Sequence, residues 1–290
     1  MRRFDPSRPN QIRLRTMHSI KSSAASFFEE AFFQSTLTYI HPTASVGPDV
    51  ILGNNVKIGP GAVIVGNVTI EDNTRVYPYV IIGFPAQNLT TKKSLGTILI
   101  KKNCELREFV TIHASKYEDG QTVIGNNNYL MNYAHVAHDC ILEDNVTLIN
   151  NVTLGGHTYI ERNSFLMAGA ATHQFCRIGK YVTLAPFSGI RQDLPPFGLY
   201  DGRPAGFSGL NLVGLRRAGL TQETLSASKK ITKLFYFEKK SLNDIEATIN
   251  TEKLSSNEQV QAFMTFIKNS SRGVSRATTI SITQEESSSL

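Results

Sequence analysis

The chain has no tryptophan, only three cysteines, and no apolar run near the roughly 20 residues that a membrane-spanning helix requires. The last absence removes an integral membrane segment and makes a soluble protein the expectation. Three thiols, an odd count with no secretory signal, argue against a disulfide framework and for a reducing compartment, the cytoplasm. Also missing are the G-x-S-x-G nucleophile elbow, a phosphate-binding P-loop, a dinucleotide fingerprint and a cysteine in a basic niche. No cofactor is therefore expected. No Lys/Arg block of the kind that forms a nucleic-acid arm is present either, and nucleic acid is not expected as a partner.

The formal charge is nevertheless +6, and the cationic residues gather mainly in Arg216–Lys240. Such a cluster is either a solvated helical face or a dock for an acidic partner. The first 35 residues carry Arg2, Arg3, Arg8, Arg13, Arg15 and Lys21 against three acids. This composition resembles that of an organellar transit peptide; a true start at Met17 and a helical lead-in over Ala25–Phe33 stand equally open.

What the chain has in abundance is a period of six. Aliphatic residues stand at Ile40, Val46, Leu52, Ile58, Ile64, Ile70, Val76 and Ile82, then at Ile100, Leu106 and Ile112. The phase resumes at Ile124 and runs to Ile190, with Thr172 its one departure. A short parallel strand and a tight corner consume six residues, and three such units close a triangular coil. Gly and Asn at the following positions, such as Gly53, Asn54 and Asn127, suit corners that need permissive backbone angles. The expected fold is mainly β, a left-handed parallel β-helix of hexapeptide repeats, followed by a small α-helical C-terminal domain.

In this register Cys140 and Cys176 sit two coils apart on one face, roughly 9–10 Å from each other, too far for a disulfide. Two polar stretches, Gly83–Leu99 and His113–Val123, interrupt the phase and read as loops thrown out from the prism. Asp193-Leu194-Pro195-Pro196 ends the coils and a Gly/Pro-rich connection runs through Asp201-Gly202-Arg203-Pro204. Helix starts are signalled at Thr221, at Ser241 with Asp244, and at Ser255 with Glu258. The resulting division is an N-terminal extension over 1–38, the β-helix over 39–197, helices over 198–275, and a Ser/Thr/Glu-rich, disordered tail over 276–290.

Histidines concentrate in the coils and their loops. His138 and His157 are 19 residues apart and His157 and His173 are 16 apart, so an 18-residue coil places all three along one edge. His135 lies one corner away. Imidazole can take a proton from an attacking hydroxyl, Asp139 could fix its tautomer, and Gly155-Gly156 could present a backbone N–H to a developing oxyanion. A zinc site resembling that of hexapeptide-repeat carbonic anhydrases would need a His-x4-His pair. The chain offers His135-x2-His138 instead, and no metal is expected.

The motifs His135-Val-Ala-His-Asp-Cys140, Leu154-Gly-Gly-His157 and His173-Gln-Phe-Cys176, with Leu106-Arg-Glu-Phe-Val-Thr-Ile-His113 and Asn211-Leu-Val-Gly-Leu-Arg-Arg217, resemble the acyl-ACP–UDP-N-acetylglucosamine O-acyltransferases that begin lipid A biosynthesis. The resemblance runs from His41 to Gly273. It implies a homotrimer with active sites between prisms, acting on an acyl carrier protein and a UDP-amino-sugar. In it His138 is the general base, Asp139 its orienting partner, and the Gly156 N–H the oxyanion donor. His135, His157, His173 and Gln174 position the substrates, as do Gln87 and Asn88 in the first loop, while Arg217 and the basic helices receive phosphates or the carrier.

The chain also departs from the family pattern. Gln87-Asn-Leu-Thr90 replaces Gln-Asp-Leu-Lys, Ala218 replaces a second arginine, and Pro186 replaces a glycine associated with acyl-chain length. The prism before the first loop is also one coil short. Another UDP-amino-sugar acceptor, or acetyl-CoA as donor, is the alternative.

Overall fold

The computed structural model describes residues 29–89 and 96–276. The transit-peptide and Met17 readings, Thr90 and nearly all of the C-terminal tail lie outside these residues. Between Tyr39–Ile40 and Gly189–Ile190 the described residues form 23 short strands, most of two residues. They stack into three parallel sheets that are the sides of a β-helix. Paired residues are usually 18 apart, as in Ile58 with Val76 and Leu148 with Leu166. Across the first interruption Val76 pairs with Leu106, and across the second Leu106 pairs with Leu130. Both insertions therefore add whole multiples of six, so every inward residue stays inward.

The aliphatic first positions form continuous columns. Ile58, Val76, Leu106, Leu130, Leu148, Leu166 and Leu184 are all fully buried. At the corners the chain enters the left-handed region, with positive φ at Asn55, Asn73, Asn127, Asn145 and Asn163. Asparagine tolerates this conformation better than most residues because its side chain can bond locally. Cys104, Cys140 and Cys176 are free and buried in the same interior. Burial pushes the first two thiols up to about 12 and the third to about 11, which removes them as nucleophiles near neutrality.

Both ends of the prism are covered. At the start, a turn of π-helix over Glu30–Gln34 buries Phe32 against Tyr77, with ring centroids 5.3 Å apart. At the far end, the segment read as a Gly/Pro-rich connection is an antiparallel hairpin, Gly198–Gly202 with Ala205–Leu210, that extends the ten-stranded sheet. Burial of Tyr200, between exposed Leu199 and Asp201, and of its cross-strand partner Phe207 drives it, and it shields an otherwise open sheet edge.

Helices α1 (Leu212–Arg217), α2 (Gln222–Thr232), α3 (Leu242–Thr251) and α4 (Glu258–Lys268) follow. Thr221 and Ser241 cap α2 and α3, as their sequence signals require. Helix α4 is capped by Asn257 instead of Ser255, since the Asn257 side chain accepts from two backbone N–H groups. Phe263 of α4 stacks over the prism-closing Phe197, and buried Asp193 bonds to Arg177 N and Ser270 Oγ, tying the helical end to the last coil. Among the described residues no helix is long and apolar enough to cross a membrane.

Candidate active site

The corner after strand His135–Val136 carries His138 and Asp139, and the next coil supplies Gly155, Gly156 and His157 at the same corner. Asp139 and His157 both occupy the left-handed corner position, with φ of 61° and 59°. This conformation is uncommon for residues other than glycine, but Asn, Asp and His tolerate it best. It turns both side chains to the outside of the prism.

His138 Nδ1 donates to Asp139 Oδ2 at 2.7 Å, and both side chains are nearly buried. Burial alone would raise the Asp139 carboxyl. Hydrogen bonds from Ser115 Oγ, His138 and Lys116 N outweigh it and hold the group below the usual carboxylate range. An ionised carboxylate can only accept, so the proton of neutral His138 resides on Nδ1 and Nε2 keeps its lone pair. The face of the ring lies against Gly156: a Cβ built on Gly156 would lie 2.6 Å from His138 Cε1, 2.7 Å from Nε2 and 3.2 Å from Nδ1. Position 156 must be glycine for the ring to sit where it does. The Gly156 N–H makes no hydrogen bond among the described residues.

His157 stands edge-on to His138, with ring centroids 5.2 Å apart. Its Nε2 is 3.6 Å from Asp139 Oδ2, beyond hydrogen-bond range, and this buried nitrogen has no partner among the described residues. Burial depresses its basicity more than Asp139 restores it. His138, Asp139 and His157 place three potential metal-ligand atoms within 4.8 Å of one another. The shortest pair is already spent on a hydrogen bond, so the arrangement serves proton transfer better than ion ligation.

The remaining sequence-predicted residues spread outward. His135 faces His113 across the strand ladder at 5.2 Å, and burial, with His113 alongside, pushes it down to about 4, so it works as a neutral group. Gln87 and Asn88 lie in a loop fastened to the same strand, because Pro85 O accepts from His113 Nδ1 at 2.7 Å and Phe84 O from Ala114 N.

His173 does not continue the edge shared by His138 and His157. The ring that continues the stack beyond His157 is Phe175, at 4.4 Å and nearly parallel, since it lies one full 18-residue coil on. His173 instead lines a cleft of about 410 Å³ with Arg191 and Arg203, its Nδ1 3.4 Å from Arg272, and Gln174 beside it is exposed. Arg217 ends α1 and is exposed.

Ser115 and Thr122 escaped the sequence reading. The second interruption folds back over the site, so that Ser115 Oγ donates to Asp139 Oδ1 and Thr122 Oγ1 accepts from Asp139 N at 2.8 Å. Its polar composition was the available signal, but loop direction is not encoded in a repeat.

Comparison with known proteins gives the arrangement its context. The second domain of the UDP N-acetylglucosamine O-acyltransferases matches residues 193–275, and the bacterial transferase hexapeptide repeat matches residues 38–66, 49–83 and 121–156. The acyl-[acyl-carrier-protein]–UDP-N-acetylglucosamine O-acyltransferase of Thermodesulfovibrio yellowstonii is 39% identical over 238 residues, covering 80% of this chain and 92% of that protein. The Sinorhizobium fredii enzyme is 34% identical over 74% of this chain and 87% of its own length. Among solved structures, the UDP-N-acetylglucosamine acyltransferase of Campylobacter jejuni superposes with a TM-score of 0.73 at 32% identity, covering 83% of this chain and 98% of that one. The Arabidopsis UDP-N-acetylglucosamine acyltransferase superposes with a TM-score of 0.67 at 27% identity, over 82% of this chain and 100% of that one. With the repeat and the shared length in agreement, the chain belongs to the acyl-[acyl-carrier-protein]–UDP-N-acetylglucosamine O-acyltransferases.

Proposed function

We propose that the chain transfers a 3-hydroxyacyl group from acyl carrier protein to the 3-hydroxyl of UDP-N-acetylglucosamine, the first step of lipid A biosynthesis. The observation that carries the catalytic assignment is the His138 ring, oriented through Nδ1 by ionised Asp139 with Nε2 against Gly156. His138 Nε2 takes the proton of the sugar hydroxyl as its oxygen attacks the thioester carbonyl carbon. Charge gathers on the carbonyl oxygen, where the Gly156 N–H receives it. When the C–S bond breaks, the imidazolium returns its proton to the departing thiolate, so the step is balanced.

The unpartnered Nε2 of His157 supports a contact to substrate from that ring. His135, His173, Gln174, Gln87 and Asn88 are assigned to substrate positioning around it. Buried free thiols support a cytoplasmic setting.

A homotrimer, with sites completed between prisms, accounts for the spread of His135, His173, Gln87 and Arg217 around a single chain. Sedimentation equilibrium should return the mass of three chains; a monomer would contradict this part of the proposal.

The carrier is assigned to the basic helices. Lys230 and Lys240 are paired with Glu252 and Glu238. Arg216, Arg217, Lys229 and Lys233 have no carboxylate partner among the described residues, and Lys229 and Lys233 line a groove of about 380 Å³ with Phe237 and Leu210. Attraction to an acidic carrier is screened over a Debye length of about 8 Å at physiological ionic strength and about 3 Å at 1 M. KM for the acyl carrier is therefore expected to rise at least about threefold from low to high salt. A flat response would remove the helices as its dock.

Asn88, Thr90 and Ala218 favour a second reading, a related UDP-amino-sugar as acceptor. Turnover of purified protein with acyl carrier donors against acetyl-CoA, each with a set of UDP-amino-sugars, decides among these. Transfer from acetyl-CoA alone would sink the carrier-dependent assignment.

A further inference from the structure

Thr172 is the one polar residue at the inward first position between Ile124 and Ile190, and it is buried. Its Oγ1 lies 2.7 Å from that of Thr158, which is fully buried. Thr158 Oγ1 donates to the Gly155 carbonyl at 2.7 Å, and the Gly155 N–H is shared between Thr172 Oγ1 at 3.0 Å and the Thr172 carbonyl at 3.1 Å. Each hydroxyl has a single proton and a carbonyl can only accept. The Thr158 proton is spent on Gly155, so Thr172 must donate to Thr158. The bonds close a ring with one direction: Gly155 N–H to Thr172, Thr172 to Thr158, Thr158 to Gly155 C=O. Hydrogen bonds arranged in this way strengthen one another.

The ring grips a particular peptide group. The Gly155 carbonyl shares its peptide plane with the Gly156 N–H, and a trans peptide points the two in opposite directions. Cys140 Sγ, also buried in the prism, donates to the same carbonyl at 3.3 Å. Holding the carbonyl inward aims the Gly156 N–H outward, beside the His138 ring. We infer that Thr158 and Thr172 are positioning residues that fix the Gly156 N–H as oxyanion donor, an inference that rests on the role of Gly156 proposed above. Aliphatic side chains at both positions would fill the same space. They would leave the carbonyl held by a thiol, a weak donor.

Thr158→Val and Thr172→Val preserve shape and open the ring. Thr158→Val is expected to lower kcat about tenfold, a fraction of what loss of an oxyanion donor costs, and Thr172→Val by less because Thr158 still donates to the Gly155 carbonyl, with KM for both substrates within about twofold in each. Thr158→Ser, which keeps the hydroxyl, should restore most of kcat.

The double valine variant separates positioning from stability. Thr158→Val takes the acceptor from the buried Thr172 hydroxyl, whereas the double variant removes both hydroxyls, so its Tm should recover relative to Thr158→Val. Its kcat should stay low. If kcat recovers with Tm, or never falls, while wild type turns over and His138→Ala does not, the positioning role alone is overturned. A wild type that transfers no acyl group overturns the catalytic reading and the positioning role with it.

Discussion

Replacing His138 with alanine should lower kcat by about 10²–10⁴, the usual worth of a positioned general base, and leave the oligomer intact. The imidazole is held in one tautomer by a carboxylate that itself accepts from Ser115 and Lys116, so its Nε2 is the basic atom presented beside Gly156. The His138 side chain is nearly buried but points away from the aliphatic columns, so its removal deletes no part of the prism core. KM values for donor and acceptor should change little, because the lost contact forms only as the hydroxyl ionises. A variant with wild-type kcat would show that the proton leaves by another route. Asp139→Asn should reproduce part of the loss, since an amide no longer selects the Nδ1–H tautomer.

Gly156→Ala is the second large effect. Its methyl group would meet the His138 ring at 2.6–2.7 Å, closer than real side-chain contacts come. Relief requires either the ring to leave Asp139 or the 155–157 backbone to retreat, and the backbone is tied to the coil on each side. The Gly155 N–H and C=O are both bonded inside the prism, and Gly156 O accepts from Phe175 N at 2.9 Å. The ring is therefore the part that moves, and base and oxyanion donor lose their common register. A fall in kcat of about 10²–10³ is expected, the scale of losing one oxyanion donor, with a melting temperature close to that of wild type. Full activity in Gly156→Ala would contradict the joint action of His138 as base and the Gly156 N–H as oxyanion donor.

Much of this was legible in the sequence because a repeat fixes direction as well as fold. Once the six-residue phase is known, Leu148 must point inward, and His138 and His157 must share a corner. What escaped detection involves contacts that the period does not govern. Ser115 reaches Asp139 from an insertion whose path depends on its own turns. The stack beyond His157 went to Phe175 because a full coil is 18 residues, and the 16-residue spacing of His173 turns it toward Arg272 instead. The hairpin after Phe197 was obscured by Gly198, Gly202 and Pro204, which read as a connection although Tyr200 and Phe207 supply the buried cross-strand pair. Asn257 displaced Ser255 as a cap by a shift of two residues, within the usual uncertainty of helix ends. Thr172 stood out in the sequence as a break in the aliphatic phase, and its meaning emerges only from the bonds it makes around Gly155.

The most direct test is to incubate the purified protein with UDP-N-acetylglucosamine and a 3-hydroxyacyl carrier protein series, then identify the product by mass spectrometry and NMR. The account predicts one new ester, located on the sugar 3-oxygen, that disappears in His138→Ala. An ester at another hydroxyl, or an unchanged sugar nucleotide with every donor in the series, would contradict it.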